Sequence, residues 1–392
     1  MESHREIHVE VFGKTDVGLI REHNEDNFLV ADVSNDLRTN DLKEPLTISV
    51  GAKGALFLVC DGMGGAAAGE VASQMAVDSI FGALAAAEPL PRDRFARLVR
   101  RAIENANDQI FAQSRDNQSE RGMGTTCTAA ALVDGTLVVG QIGDSRCYVI
   151  RGGTLAQVTK DQSLAWQLIE AGAMTVEEAK AFEHANIILQ ALGVQERVDV
   201  VLSQVDLRKG DVVLLCSDGL HGPVTDDELL GIIKNEPNLA KAGDLLIRKA
   251  LERDGPDNVT LVLARFAGSA LPAAGPGDVV TFVSYDPGRD PGDERPAPEI
   301  PPRSNATDSK ATVEARVPDE ILRMAANAGL RPVDAVPAAA SASGRDPALD
   351  LRPRTSLWTI VLLAMAAAAA GGLFIKCDRE VASRHESQIE LP

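Results

Sequence analysis

The sequence predicts a layered α+β protein. Strand-like apolar runs are mostly joined by short turn signals, and helical patterns are confined to two blocks instead of alternating with strands. The strand-like runs lie near residues 7–12, 27–31, 55–60, 125–133, 136–142, 146–151, 198–206, 211–216 and 258–266. Asp134-Gly135 and Gly152-Gly153 are the kind of turn that closes an antiparallel hairpin. Helical periodicity covers 67–87 with 92–115, then 225–234 with 238–252. A polar insert occupies 162–190, where Thr175 followed by Glu177 and Glu178 reads as a helix start. Placed between strands, such an insert can act as a lid.

A chain of 392 residues with 45% hydrophobic and 24% charged residues has length for more than one domain and for a substantial core. The formal charge of -18, with no dense Lys/Arg patch, excludes nucleic acid as the main partner and reads as a solvated acidic surface. Cys60, Cys127, Cys147, Cys216 and Cys377 show neither CxxC nor zinc-ligand spacing, and the first four fall in predicted strands. They read as buried thiols of a reducing compartment. Met1–Glu6 has no apolar segment behind it, so no signal peptide is expected and the N-terminal part is expected in the cytoplasm.

Beyond Phe266 the composition shifts to Pro, Gly, Ala, Asp and Ser, which cannot supply a core. Residues 268–356 are therefore expected as a disordered linker, with one transient helix at 312–330. From Leu357 to Ile375 the chain has 19 residues without a charge, flanked by Arg352 and Arg354 before and Lys376 and Arg379 after. That length spans a hydrocarbon core, although the alanines also suit an Ala-rich soluble helix. The expected organisation is a folded domain at 1–267, the linker, a transmembrane helix at 357–375 and a polar tail at 376–392. The protein would then be single-pass in the cytoplasmic membrane with its folded domain inside, or soluble in the cytoplasm if the segment does not insert.

Chemistry concentrates at strand mouths. Two apolar runs end alike, in Cys60-Asp61-Gly62 and in Cys216-Ser217-Asp218-Gly219. Asp144 follows Leu137-Val138-Val139 within Gly143-Asp144-Ser145-Arg146, and Asp257 precedes Leu261-Val262-Leu263. Four carboxylates on rigid elements suit a cluster for hard divalent cations. Each has a plainer alternative: Asp-Gly is a common turn pair, Asp257 can cap a turn, and Asp144 can pair with Arg146. Upstream, Arg21 with Asn24-Glu25-Asp26 adds a cation and an acid pair; Arg21 can also pair at the surface with Glu22 or Glu25.

Taken in order, these segments resemble the metal-dependent protein serine/threonine phosphatases of the PP2C (PPM) family. Arg21 with Asn24-Glu25-Asp26 is followed by Asp61-Gly62-Met63-Gly64-Gly65 with Gly69-Glu70, Gly124-Thr125-Thr126, and Gly143-Asp144-Ser145-Arg146-Cys147-Tyr148. Ala191-Leu192-Gly193, Ser217-Asp218-Gly219-Leu220 and Asp257-Asn258-Val259-Thr260 complete the set. The resemblance covers about residues 7–266. It implies a four-layer α-β-β-α sandwich, two antiparallel sheets flanked by helices, with a metal cluster in a cleft at one end.

The resemblance further implies two Mn²⁺ or Mg²⁺ ions bridged by Asp61, with the Gly62 carbonyl on the first and Asp218 and Asp257 on the second. Glu25 would act through water, and Asp144 with Asp218 would hold a third, weaker ion. Arg21 would clamp the substrate phosphate with its planar fork. Phosphoserine and phosphothreonine on proteins would be hydrolysed by a water shared between the ions, with no covalent nucleophile. Expected partners are phosphorylated proteins, a bacterial Ser/Thr kinase and its targets. A phosphatase of a dedicated stress-signalling regulator uses the same chemistry; a phosphoprotein-binding pseudophosphatase would have lost ligands that are present here.

Two positions depart from the pattern. Animal-type relatives have His, a proposed general acid, where this chain has Met63, and Met cannot donate a proton. Bacterial relatives often carry Asp-His-Ser where this chain reads Asp161-Gln162-Ser163, so no titrating role is expected at Gln162. His184, in the insert, and His221, after the second Asp-Gly pair, lack partners at ligand spacing and read as structural.

Overall fold

Both faces of each main sheet are covered, which is why the strands read as unbroken apolar runs even though they pair antiparallel. The computed structural model describes residues 6–64, 68–171, 174–180 and 187–286. In chain order the strands are β1 (Ile7–Asp16), β2 (Asn27–Asp32), β3 (Leu37–Thr39), β4 (Leu46–Ser49), β5 (Ala55–Cys60), β6 (Gly62–Met63), β7 (Gly124–Thr125), β8 (Cys127–Val133), β9 (Thr136–Ile142), β10 (Arg146–Arg151), β11 (Thr154–Gln157), β12 (Val201–Asp206), β13 (Val212–Cys216), β14 (Val259–Gly268) and β15 (Phe282–Ser284). The helices are α1 (Ala68–Ala85), α2 (Arg92–Asp116), α3 (Leu164–Glu170), α4 (Val176–Lys180), α5 (Asp218–His221), α6 (Asp226–Asn235) and α7 (Leu239–Leu251).

Sheet one has the order β11-β10-β13-β14-β1-β4 and sheet two the order β15-β12-β9-β8-β5-β2-β3, while β6 and β7 form a separate ribbon. The period-2 alternation of strand side chains sorts each run between two cores. On β5, Ala55, Phe57 and Val59 enter the core between the sheets, where Val213, Leu215, Val262 and Phe266 come from sheet one. Leu56, Leu58 and Cys60 face the other way, onto Ala72, Ile80, Val99 and Ile103 of α1 and α2. Sheet one mirrors this, with Leu214, Cys216, Leu261 and Leu263 packed on Leu229, Leu246 and Ile247 of α6 and α7. The result is the four-layer α-β-β-α sandwich. Each fully buried Leu or Val contributes about 1.5–3 kcal/mol, so the three cores together fix the spacing of the layers.

The helices begin where local chemistry dictates. Thr225 and Glu228 form a reciprocal capping box at α6, and Asn238 accepts from Lys241 N at α7. At the helix start read in the insert, Thr175 N donates to Glu178 Oε2 (2.8 Å) and Glu178 N to Thr175 Oγ1 (3.2 Å), opening α4. Cys60, Cys127, Cys147 and Cys216 are free and buried.

The folded region does not stop at residue 267. Leu271 is buried in the core between the sheets, and β15 pairs with β12, Val205 opposite Phe282. Asp278 reaches the buried Arg151–Asp211 ion pair through Arg151 Nη1 (3.5 Å) and also accepts from Arg208 Nε (3.0 Å). Tyr285 N donates to Leu202 O (2.9 Å), and the Tyr285 hydroxyl donates to Asp93 on α2. Described structure thus runs on past the expected boundary at 267 as far as Asp286, because a few anchors in a Pro/Gly-rich stretch suffice to dock it on a sheet edge. The rest of the expected linker, the segment 357–375, the tail 376–392 and His184 lie outside the described residues. Among the described residues no helix is long and apolar enough to cross a membrane.

Candidate metal centre

Five carboxylates meet at one end of the sandwich, contributed by both sheets. Asp61 leaves β5 and Asp26 enters β2 in sheet two; Asp218 follows β13 and Asp257 precedes β14 in sheet one; Asp144 lies in the turn that carries the chain from β9 to β10. In each case a backbone held on several sides presents the acid.

Asp61 N donates to Thr126 Oγ1 (2.9 Å), and its carbonyl accepts from Thr126 N (2.8 Å) and Thr125 Oγ1 (2.9 Å). Gly62 is required by close approach, since a Cβ there would stand 2.3 Å from the Gly69 carbonyl and 2.4 Å from that of Glu25. Gly219 is equally confined, its missing Cβ falling 2.0 Å from the Asn258 carbonyl. The glycine of each Asp-Gly pair therefore lets a neighbouring main chain close over the acid.

Asn258 ties the N-terminal loop to this floor. Its Nδ2 donates to Val17 O (2.9 Å) and His23 O (3.0 Å), and its Oδ1 accepts from Glu25 N (2.8 Å). Arg21, carried on that loop, donates from Nη2 to Asp257 Oδ2 at 2.8 Å. The pairing is with Asp257, not with Glu22 or Glu25. Arg21 is the most solvent-reached member of this group, with its side chain 55% exposed, so it stands at the rim where a ligand would arrive.

The acids repel one another in a desolvated space. Burial, then the charges of Asp26, Asp218, Asp144 and Asp257, push Asp61 well above the usual carboxylate range. Burial, then the charges of Asp218 and Asp161, push Asp144 up to about 8. Asp26 rises to about 7, mainly through burial, although hydrogen bonds from Thr260 and Ser217 oppose the shift. Asp218 is raised by burial and by Asp257, and Glu25 chiefly by burial. The buried Oδ1 atoms of Asp26, Asp144 and Asp218 have no hydrogen-bond partner.

Unpartnered hard oxygens in a crowd of acids are what a divalent cation satisfies, since Arg21 at the rim pairs with Asp257 and leaves the buried oxygens of Asp26, Asp144 and Asp218 unpartnered. Among the described residues no three His, Cys, Asp or Glu side chains come together closely enough to hold a metal ion by themselves. Mg²⁺-like ions keep several waters and take few protein ligands. The residues present therefore suit cations held in part by solvent.

The alternative for Asp144 as the ion-pair partner of Arg146 is not formed. Arg146 forks onto Asp161, with Nη2 to Oδ2 at 2.6 Å and Nε to Oδ1 at 3.0 Å, and donates from Nη1 to the Tyr148 hydroxyl at 3.0 Å. His221 Nε2 lies 3.1 Å from the Asp144 carbonyl, and burial lowers the His221 pKa well below the ordinary value, so the ring is neutral and supports the turn. Met63 is exposed on the ribbon.

Asp26 and Ser217 are the site residues that the sequence reading left without a role. Ser217 Oγ donates to Asp26 Oδ2 (2.8 Å) and accepts from Thr260 N (3.0 Å), joining the two sheets at the base of the cluster. Asp26 sits at a strand mouth like the other acids, and that signal was available.

The protein family described as protein phosphatase 2C matches residues 34–256. The serine/threonine phosphatase stp of Listeria monocytogenes is 36% identical over 251 residues, 64% of this chain and 93% of that one. The serine/threonine protein phosphatase PstP of Mycobacterium tuberculosis is 38% identical over 251 residues, 64% of this chain and 44% of that one. Among solved structures, the PstP catalytic domain in complex with two manganese ions aligns with a TM-score of 0.55 at 33% identity, covering 67% of this chain and 99% of that one. Stp1 from Staphylococcus aureus aligns with a TM-score of 0.59 at 33% identity, covering 66% and 94%.

The raised carboxyls set a pH dependence. A group with a raised folded pKa adds stability that is full below its unfolded value near 4 and is lost as pH climbs through the folded value. With Asp26 at about 7 and Asp144 at about 8, the metal-free protein should lose thermal stability progressively from about pH 4 and level off near about pH 8. His221, buried neutral, acts in the opposite direction and cannot produce that fall. Mn²⁺ should raise the melting temperature more at the higher pH. Calorimetric melts with and without Mn²⁺ read this directly; a flat profile unaffected by Mn²⁺ would contradict it.

Proposed function

The chain belongs to the bacterial protein phosphatase 2C family, and from that premise we propose how its own residues carry out the reaction and on what. It is a protein serine/threonine phosphatase, and its family uses metal ions. Two Mn²⁺ or Mg²⁺ ions would be held by Asp61, the Gly62 carbonyl, Asp218 and Asp257, with Glu25 acting through water and a third, weaker ion on Asp144 and Asp218. When bound, such ions acidify a water and offset charge that develops on the phosphoryl oxygens. The crowding of Asp61, Asp218, Asp144 and Asp26, with unpartnered oxygens on the last three, supports this reading most strongly.

Arg21 binds the phosphate. It stands at the rim on a loop fastened by Asn258, so a phosphoprotein segment can reach its guanidinium from solvent. Transfer of Arg21 from Asp257 to the phosphate exchanges one charge-assisted hydrogen bond for a bidentate pair and frees a carboxylate for the cluster. Asp61 stays where Thr125 and Thr126 hold it, so its carboxylate need not reorganise during the reaction. Thr260 N holds Ser217, whose hydroxyl holds Asp26, a link between the sheet that carries Asp61 and the sheet that carries Asp218. The Cys60 thiol beside Asp61 is buried with a strongly raised pKa, so it offers no nucleophile. Met63, unable to donate a proton, leaves leaving-group protonation to solvent in the cleft.

Substrates would be phosphoserine and phosphothreonine proteins, including a Ser/Thr kinase and its targets. The uncharged run 357–375 would anchor the chain in the cytoplasmic membrane and concentrate the enzyme near membrane-bound kinase.

Hydrolysis of a phosphothreonine peptide should require Mn²⁺ or Mg²⁺ and stop with chelator. Asp61→Asn and Asp218→Asn should each lower kcat/KM by about a thousandfold or more, while Arg21→Ala should raise KM by about ten- to a hundredfold. Full rate in chelator, or in both Asp variants, would overturn the ligand assignment. Carbonate-washed membranes should retain the full-length chain and release a version ending at residue 356; release of both would remove the anchor.

A further inference from the structure

The turn that carries Asp144 is fastened from one side by a single residue of the insert. Gly143, in a left-handed conformation with φ of 92°, places the Asp144 carboxylate in the cluster. Its N–H donates to Gln162 Oε1 at 2.8 Å, and its carbonyl accepts from Gln162 N at 2.9 Å and from Gln141 Nε2 at 3.0 Å. Gly143 and Asp144 are both buried, so no bulk water stands ready to replace a lost partner. The Asp144 carboxylate itself keeps an unpartnered oxygen. The turn is therefore fixed by its backbone, and the acid is left free to bind.

Gln162 also reaches away from the site. Its carbonyl accepts from Leu189 N at 2.8 Å, its Nε2 lies 3.4 Å from the Asp199 carbonyl, and Leu164 N next to it donates to Ile187 O at 2.9 Å. One residue thus serves both, its main chain the segment that returns from the insert and its side chain the acid-bearing turn. A side-chain amide suits the position, since it offers an acceptor and a donor at once and holds no charge to vary with pH.

We propose that Gln162 is a positioning residue for Asp144: by accepting the Gly143 N–H it presets the Asp144 carboxylate for the weakest of the bound cations. The inference rests on the metal reading of Asp144 given above. Loss of the acceptor leaves Gly143 N–H buried and unpaired. The turn relaxes to satisfy it, and the carboxylate moves with the turn.

The test is calorimetric titration of Mn²⁺ into metal-stripped full-length chain, read as a tight phase and a weaker phase. Asp144→Ala should remove the weaker phase. Gln162→Met keeps the side-chain length without an acceptor and should weaken that phase about tenfold while sparing the tight one. Gln162→Glu restores an acceptor at the same place and should recover part of the weaker phase lost in Gln162→Met. Gln162→Ala, too small to overpack, should repeat the loss seen with Met. In the Asp144→Ala background, Gln162→Met should leave the Mn²⁺ isotherm unchanged, an outcome that a merely structural role would not give.

An unchanged weaker phase in both Gln162→Met and Gln162→Ala would overturn the positioning role and leave the metal reading of Asp144 standing. So would an effect that persists without Asp144. A weaker phase that survives Asp144→Ala would instead remove the ligand assignment, and the inference with it.

Discussion

Repulsion between carboxylates at the mouth of the sandwich is the constraint around which the rest is arranged. Asp61, Asp218, Asp144 and Asp26 would separate or stay protonated if the fold allowed it, because charge in a desolvated space is costly. The fold holds them together all the same. Their pKa values rise, oxygens stay unpartnered, and the site is left with a deficit of positive charge that only a cation or a bound proton removes. Strain of this kind at a functional site is sustained by packing elsewhere, here by three hydrophobic cores on either side of two sheets.

The four-layer architecture makes the deficit permanent. Asp61 and Asp26 ride on sheet two, Asp218 and Asp257 on sheet one, and Asp144 on the turn between them. Their separation is thus set by how the sheets stack across Phe57, Val59, Leu215 and Val262, not by a loop. Neutral hydrogen-bonding groups hold the backbones: Thr126 on Asp61, Gln162 on the Asp144 turn, Asn258 on the loop of Arg21. Arg21, the cation at the rim, is paired with Asp257 in a contact that a phosphate can replace.

Much of this was legible in the sequence, for identifiable reasons. Apolar runs that end abruptly in Asp-Gly mark both the strand and the acid, so Asp61 and Asp218 could be read together, and helix periods located α1, α2, α6 and α7 to within a few residues. Asp26 was harder, because an acid inside Asn24-Glu25-Asp26 resembles a polar turn until Ser217, 191 positions away, is seen to bond it. The partner of Arg21 could not be read for the same reason: Glu22 and Glu25 are near in sequence, Asp257 only in space. Residues 268–286 were misread because a few anchors, Leu271 and Asp278 among them, are too sparse to raise a periodic signal. Gln162 shows a different limit. In sequence it stands out only as a departure from Asp-His-Ser with no titrating role, and the bonds to Gly143 are what connect it to the site.

Anomalous diffraction from crystals of the protein soaked in Mn²⁺ tests the central claim most directly. If the acid cluster is a metal centre, strong anomalous peaks will flank the Asp61 carboxylate, one near the Gly62 carbonyl and one near Asp218 and Asp257. Anomalous maps without density beside Asp61, at Mn²⁺ concentrations that support hydrolysis, would contradict it.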